Sequence, residues 1–158
     1  MDDVADRLYG GGCDDALIGI GHPGSIALDF TREAASAYEA VMSAISDVCR
    51  VIPGSALVEV APDLVGVTDV AEMVGCSRQN IRQLMVSCSS TAPVPVHEGK
   101  QSLWHLAPVL GWLAREKQYR IHPDLLDLAA TTMRINMAMD SLRADSNTQR
   151  ELRGLGAW

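Results

Sequence analysis

Apolar residues recur at helical spacing in two short, adjacent stretches near the middle of the chain, residues 67–74 and 78–85. Each stretch has one apolar side, formed by Val70, Ala71 and Val74 in the first and by Ile81, Leu84 and Met85 in the second. Thr68 suits the N-cap of the first helix, Gly75 its C-terminal end, and Ser77 the N-cap of the second. The pattern predicts two amphipathic helices joined by a short turn, which is a helix-turn-helix.

The second predicted helix has a polar side rich in guanidinium and amide groups. Its members are Arg78, Gln79, Asn80, Arg82 and Gln83. These are the kinds of side chain that hydrogen-bond base edges and phosphates in the major groove of DNA. We therefore expect this helix to bind double-stranded DNA.

A short hairpin, or wing, is predicted after the two helices. Residues 93–96 alternate proline with valine, a polar turn containing glycine follows, and a second β-like run ends at Trp104. Lys100 lies near the tip of the turn, where it would reach a DNA phosphate. Pro108 falls near the start of the next helix, where a missing N–H is tolerated. Trp104 and Trp112 are expected to pack in the core.

Two β-like runs precede a helix in the N-terminal part of the chain. Residues 16–21 and 25–31 flank a turn of histidine, proline and glycine, which predicts a β-hairpin. Ser36 and Glu39 form a capping box at the start of the helix that follows. Residues 56–61 alternate as a third strand would. This part of the chain is therefore predicted to be a small ββαβ unit.

The last segment predicts one long helix over residues 122–144. Spacings of three and four residues place an apolar seam along it, consisting of Leu125, Leu128, Thr132, Ile135, Met139 and Leu142. We expect this seam to form a homodimer. Cover for the N-terminal sheet within the same chain, and a docking surface for another protein, are the alternatives. The polar tail, residues 145–158, is expected to be mobile.

These elements together predict an α+β protein in three parts. Residues 1–62 would be the ββαβ unit for oligomerisation or partner binding, residues 63–120 a winged helix-turn-helix, and residues 121–158 the C-terminal helix and its tail. A chain of 158 residues with 47% hydrophobic content can bury a core in one or two small domains.

The net charge of −7 is unevenly distributed along the chain. Residues 1–63 carry −8, residues 64–120 carry +2 and residues 121–158 carry −1. The positive part is the one that contains the predicted helix-turn-helix, where attraction to phosphates is needed. An acidic remainder weakens non-specific binding, which favours a reader of particular DNA sites.

Cysteine and histidine spacing indicates no metal site. The four cysteines include no CxxC pair and the four histidines are scattered, so neither a zinc site nor a disulfide framework is predicted. No apolar run approaches the roughly 18 residues that a membrane span needs. The acidic N-terminus lacks a basic, apolar leader. We expect a soluble cytoplasmic protein.

One glycine motif needs a separate interpretation. Gly19, Gly21 and Gly24 match the dinucleotide-binding spacing G-x-G-x-x-G. That motif must open a helix whose N–H groups face the pyrophosphate, whereas here a predicted strand follows. Hairpin glycines are therefore the favoured interpretation. With no interpretable catalytic grouping elsewhere, we expect no enzyme activity and no cofactor.

The central residues resemble a known family. Ala71, Gly75, Ser77, Arg78 and Ile81 in register, followed by the proline-flanked wing and the tryptophans, are similar to the small MerR-like and excisionase-like winged helix-turn-helix domains of bacteria. The resemblance covers roughly residues 64–117. It implies that Ser77, Arg78, Gln79 and Arg82 face DNA, with Lys100 reaching it from the wing.

The chain also departs from that family's pattern. Cys76 stands where valine is usual and Asn80 where threonine is common, and no effector-binding domain of the larger MerR regulators follows. Residues 16–61 are similar to the small domain of HicB-like antitoxins.

The expected function is that of a sequence-specific DNA-binding transcriptional regulator, a homodimer that reads two half-sites with residues 77–85. The first alternative is an antitoxin or defence-system partner that binds another protein and represses its own promoter. A small nucleotide-binding enzyme and an architectural factor for excision or recombination are further alternatives.

Overall fold

The computed structural model describes residues 2–20 and 22–156 and divides the chain into two compact units, Met1–Val58 and Glu59–Trp158. Within the described residues the fold is mixed α and β, with seven helices and two small antiparallel sheets of two strands each. The predicted α+β class is therefore confirmed. Gly21 of the glycine motif and the last two residues of the tail lie outside the described residues.

The first unit consists of a helix, a β-hairpin and a second helix. The bounds are α1 Asp2–Gly10, β1 Ala16–Ile20, β2 Ile26–Phe30 and α2 Ala37–Val51. β1 and β2 pair antiparallel with Ile18 opposite Leu28, which confirms the predicted hairpin. The Ser36 hydroxyl oxygen accepts a hydrogen bond from the Glu39 backbone N–H and so begins α2, as its sequence predicts. A small core of Leu8, Cys13 and Ala16 lies between the elements.

Arg32 organises the polar side of the first unit. Its guanidinium donates two hydrogen bonds to Asp15, at 2.7 and 2.9 Å, and one to Asp47 at 2.8 Å. A further hydrogen bond of 2.7 Å goes to the Gly12 carbonyl oxygen. The hydrogen bond from Arg32 lowers the pKa of Asp15. The pKa of Asp47 is also lowered, mainly by the hydrogen bond from Arg50 and to a smaller extent by the one from Arg32. A single cation two residues after β2 therefore joins the residue before β1 to a residue within α2.

The predicted third strand is wrong. Residues 55–60 form neither helix nor strand, so the first unit has the order αββα where ββαβ was expected. Val60 finds a side chain in place of a neighbouring strand: its N–H donates to Oδ1 of Asn136 at 2.9 Å, and its carbonyl oxygen accepts from Nδ2 at 2.8 Å. Alternating residues specify an extended backbone but not its partner, and here an asparagine amide satisfies the backbone.

The second unit is mainly helical. Its elements are β3 Leu64–Val65, α3 Val67–Val74, α4 Arg78–Ser87, β4 Trp104–His105, α5 Leu106–Glu116, α6 Pro123–Arg143 and α7 Ser146–Gly154. β3 and β4 pair antiparallel, with Val65 opposite Trp104. This pairing connects the N-terminal end of α3 to the N-terminal end of α5. The predicted long C-terminal helix is confirmed as α6.

One aliphatic core holds these helices together. The buried members of the cluster are Val65, Val70, Ala71, Ile81, Trp104, Leu106, Val109, Leu110, Trp112, Leu113 and Ala129. Every helix from α3 to α6 contributes to it, and Trp104 and Trp112 both belong to it, as predicted. Each fully buried aliphatic side chain is worth about 1.5–3 kcal/mol of transfer free energy.

One local prediction in this unit is wrong. Thr68 is not the N-cap of α3, because α3 already begins at Val67, after Gly66, whose backbone N–H donates to the Asp69 carboxylate at 2.7 Å. The polar tail, whose mobility stays a prediction, contains α7, which Asp145 caps by accepting hydrogen bonds from the backbone of Asn147 and Thr148. Within residues 2–20 and 22–156, no helix combines the length and apolar content that a membrane crossing requires.

Candidate nucleic-acid interface

The turn between α3 and α4 fixes where α4 begins. Gly75 adopts the left-handed conformation, with φ 72°, and its N–H donates to the carbonyl oxygens of Ala71 and Glu72. The Ser77 hydroxyl oxygen accepts a 3.1 Å hydrogen bond from the Asn80 N–H and caps α4. Glycine tolerates the positive φ without a Cβ clash, so the predicted C-terminal glycine and N-cap serine are both confirmed.

The apolar side of α4 packs against the aliphatic core of the second unit. Ile81 is fully buried in the aliphatic core, and Leu84 and Met85 pack against the same cluster. The opposite side of the helix is exposed, and its polar members are Arg78, Gln79, Asn80, Arg82 and Gln83. The structure therefore brings the five predicted side chains together on one accessible helical surface. Ser77 differs from them because its hydroxyl is already used as the cap.

Asn80 is the one member of this surface with a long-range partner among the contacts of the described residues. Its Nδ2 donates a 2.9 Å hydrogen bond to the hydroxyl oxygen of Tyr119, which lies in the connection between α5 and α6. The sequence pattern did not indicate this contact, since the two residues are 39 positions apart. The amide is therefore held in one orientation on an otherwise open surface.

The predicted wing is an irregular loop rather than a regular hairpin. A single β-bridge joins His97 to Leu103, and the Leu103 N–H donates to the His97 carbonyl oxygen at 3.0 Å. Lys100 lies in the exposed turn between them, as predicted. The prolines explain the irregularity, because Pro93 and Pro95 have no N–H to give to a strand ladder. The Trp104 indole N–H donates to the Pro93 carbonyl oxygen at 3.1 Å and ties the loop to the core.

Not every basic side chain of the positively charged segment, residues 64–120, is free to contact DNA. The Lys117 ammonium donates to the Cys88 sulfur at 2.8 Å and lies 5.6 Å from the centre of the Trp112 ring. The hydrogen bond from Lys117, followed by that from Ser87, lowers the pKa of the Cys88 thiol. Lys117 therefore closes the C-terminal end of α4 against α5, a role that its place in a charge count could not reveal.

A buried carboxylate joins three elements of the second unit. Asp63 is 2% exposed; its Oδ1 lies 2.7 Å from Nδ1 of His105 and its Oδ2 accepts from Asn136 at 2.9 Å. Its backbone carbonyl oxygen accepts from the Leu106 N–H at 2.7 Å. The cluster joins the residue before β3, the N-cap of α5 and the middle of α6. Sequence reasoning missed it, and placed Asp63 only at a domain boundary.

The predicted seam of α6 is divided between two environments. Leu125 packs against the core of its own unit, and Thr132 is fully buried with its hydroxyl donating to the Pro62 carbonyl oxygen at 2.6 Å. Leu128, Ile135 and Met139 are partly exposed, and Leu142 is 87% exposed. The first half of the helix therefore serves the interior, and the open apolar surface lies toward its C-terminal end.

Within the described part of the chain, no three histidine, cysteine, aspartate or glutamate side chains are grouped as metal ligands. Gly19 lies within β1 and Gly24 lies in the turn before β2, with φ 90°. A strand, rather than the helix that nucleotide binding needs, thus follows Gly24. Comparison of the chain with protein-family models, with curated proteins and with solved structures found no match.

Proposed function

We propose that the chain is a sequence-specific DNA-binding transcriptional regulator, with α4 as the recognition helix. One observation carries the proposal: Arg78, Gln79, Arg82 and Gln83 are exposed on one side of a capped helix whose other side is fixed by buried Ile81. A rigid helix that presents guanidinium and amide groups matches the donor and acceptor pattern of a major groove. Because the helix backbone is already formed, its ordering adds no further entropic cost to binding.

The surroundings of α4 support the same function. Residues 64–120 carry a net charge of +2 in a chain of −7, so the positive charge is concentrated around the helix. Lys100 is exposed in the loop that follows α4, where a phosphate contact would add to those of the helix. The resemblance of residues 64–117 to MerR-like and excisionase-like winged domains agrees with this assignment.

A homodimer is the assembly that best suits this mode of binding. One short recognition helix makes few base contacts, each worth about 1–3 kcal/mol of discrimination. Two copies would read two half-sites about 34–36 Å apart, one turn of DNA. The apolar surface formed by Leu128, Ile135, Met139 and Leu142 on α6 is the proposed contact between copies.

Selection from a random pool of DNA duplexes tests the proposal most directly. The whole chain is immobilised, bound duplexes are amplified through repeated rounds, and enriched sequences are aligned. We expect an enriched motif with two related halves, and a mass in solution of two chains. Recovery of duplexes without any shared sequence would reject sequence-specific binding.

A second candidate is a regulatory partner, such as an antitoxin, that binds another protein through the first unit. The supporting observation is the surface of that unit: residues 1–58 hold nine acidic and three basic residues, and Leu17 is 72% exposed beside them on β1. DNA repels such a surface, whereas a basic protein would not. Co-purification of a stoichiometric protein in the absence of DNA would favour this candidate.

A further inference from the structure

Asn80 on α4 is not free to rotate. Its side chain is exposed, and the terminal torsion of an exposed asparagine is broad. The 2.9 Å hydrogen bond from Nδ2 to the Tyr119 hydroxyl oxygen restricts that torsion. Tyr119 therefore determines which atoms of the Asn80 amide remain available to hydrogen-bond another molecule.

Tyr119 is itself firmly placed. Its backbone N–H donates to the Leu113 carbonyl oxygen at 3.1 Å, and its ring packs against the aliphatic core. Gln118, with a positive φ of 57°, turns the chain directly after α5 and brings Tyr119 back toward α4. A positive φ is uncommon for a non-glycine residue, so the turn at Gln118 is a specific feature of this connection. The hydroxyl group is thus a rigid reference point for the amide.

The atoms that form this contact fix its direction. Nδ2 of Asn80 donates and the Tyr119 hydroxyl oxygen accepts. The NH2 end of Asn80 therefore faces Tyr119, and Oδ1 faces away. Burial, followed by the neighbouring Cys76 side chain, raises the pKa of Tyr119, so the hydroxyl stays protonated at neutral pH.

We propose that Tyr119 is a positioning residue that sets the base preference of α4 at one position of the DNA site by orienting the Asn80 amide. The inference rests on the proposed function of α4. A primary amide has two N–H donors and one acceptor oxygen, so one donor and the oxygen remain after the contact with Tyr119. In the major groove adenine presents the complementary pair, an N7 acceptor and an N6 donor. We expect adenine at that position.

The test compares four forms of the whole chain in the random-duplex selection: wild type, Asn80→Ala, Tyr119→Phe and the double variant. Asn80→Ala identifies the position, because its preference should fall by about fivefold or more, the lower end of what one bidentate base contact is worth. Tyr119→Phe keeps the ring and removes only the hydroxyl, so most of that preference should be lost there too. The double variant should add no further loss at that position, since the hydroxyl acts through the amide.

The controls separate positioning from folding. Tyr38→Phe removes the hydroxyl of an exposed tyrosine in the first unit and should leave the enriched motif unchanged. A purely structural Tyr119 would weaken binding at all positions equally and lower the unfolding temperature. That result, or full retention of the preference in Tyr119→Phe, overturns the inference.

The inference and the proposed function can fail separately. If wild type enriches a motif that depends on Arg78 and Arg82 but not on Asn80, the proposed function stands and the role of Tyr119 is rejected. If wild type enriches no motif, both are rejected.

Discussion

Asp63 and His105 are 42 positions apart in the chain, yet the carboxylate Oδ1 of one lies 2.7 Å from the imidazole Nδ1 of the other. The second carboxylate oxygen accepts from Asn136 on α6. A buried carboxylate without hydrogen-bond partners would cost free energy of folding. Removing the carboxylate also costs free energy of folding, because its partners then lose a hydrogen bond. One side chain therefore links the N-terminal ends of α3 and α5 to the middle of α6.

Asp63→Ala should lower the free energy of unfolding by about 3 kcal/mol, because the part-buried His105 imidazole loses its carboxylate partner and the Asn136 amide loses one of its three hydrogen bonds. Urea denaturation followed by tryptophan fluorescence measures the change, since Trp104 and Trp112 lie in the same core. Asp140→Ala is the matched control. Asp140 is 77% exposed in its ion pair with Arg143, and its loss should cost no more than about 0.5 kcal/mol. Equal effects of the two variants would contradict the role of Asp63.

Removal of both arginines from α4 should abolish most of the specific affinity. Arg78→Ala with Arg82→Ala should weaken binding to the selected duplex several-fold to some hundreds-fold at fixed salt, as expected for lost base or phosphate contacts of about 1–3 kcal/mol. Folding should be unchanged because both side chains are exposed. Arg150→Ala with Arg153→Ala removes the same charge from exposed positions on α7. A similar loss in that control would point to net charge rather than to α4.

Lys100 should contribute affinity without sequence preference. Lys100→Ala is expected to weaken binding to all duplexes about equally and to make the slope of log K against log salt shallower by about 1, because one phosphate contact is lost. Titrations over a series of salt concentrations with the selected and a scrambled duplex give both quantities. A loss confined to the selected duplex would mean that Lys100 contacts a base.

The parts of the interface that sequence could predict are those that local chemistry determines. Ser77 caps the helix that follows it, Gly75 takes the positive φ that ends the previous one, and Ile81 marks the buried side. Each of these depends on residues within one turn of the chain. The exposed side of α4 followed from the same periodicity.

The parts that could not be predicted depend on partners far away in sequence. Arg32 meets Asp15 from 17 positions away and Asn80 meets Tyr119 from 39. No periodicity encodes such a choice, because hydrophobic spacing specifies which side is buried but not which polar groups meet there. The missing third strand has the same cause, since Val60 pairs with a side chain 76 positions away.

The first unit should lose stability in acid through Asp15 and Asp47. Both have folded-state pKa values below the ordinary 3.8, so their ionised forms stabilise the fold at and above the pH where the unfolded chain titrates, about 4. That stability is lost as pH falls through the lowered folded-state values. Calorimetry of the whole chain between neutral pH and about pH 2 should show the decline.

Arg32→Leu tests the cause of that pH dependence. Without the guanidinium the unit should be less stable at neutral pH by about 2–3 kcal/mol, and the decline in acid should become shallower because Asp15 loses its partner. Arg153→Leu, at an exposed position on α7, should leave the pH profile unchanged. An unchanged slope in Arg32→Leu would show that other carboxylates cause the acid sensitivity.

The open end of α6 should hold two copies of the chain together. Met139 and Leu142 are three residues apart and so lie on one side of the helix, and Leu142 is 87% exposed. Met139→Glu with Leu142→Glu should raise the dimer dissociation constant by tenfold or more, on the order of 1.4 kcal/mol or greater, since two charges would enter an apolar contact. Met137→Glu is the matched control, because Met137 is 55% exposed on the same helix but about 200° around it from Met139. Sedimentation velocity over a range of concentrations measures all three forms. A wild-type chain that remains monomeric at the highest concentration, or a control that dissociates as readily as the double variant, would contradict the assignment of this surface.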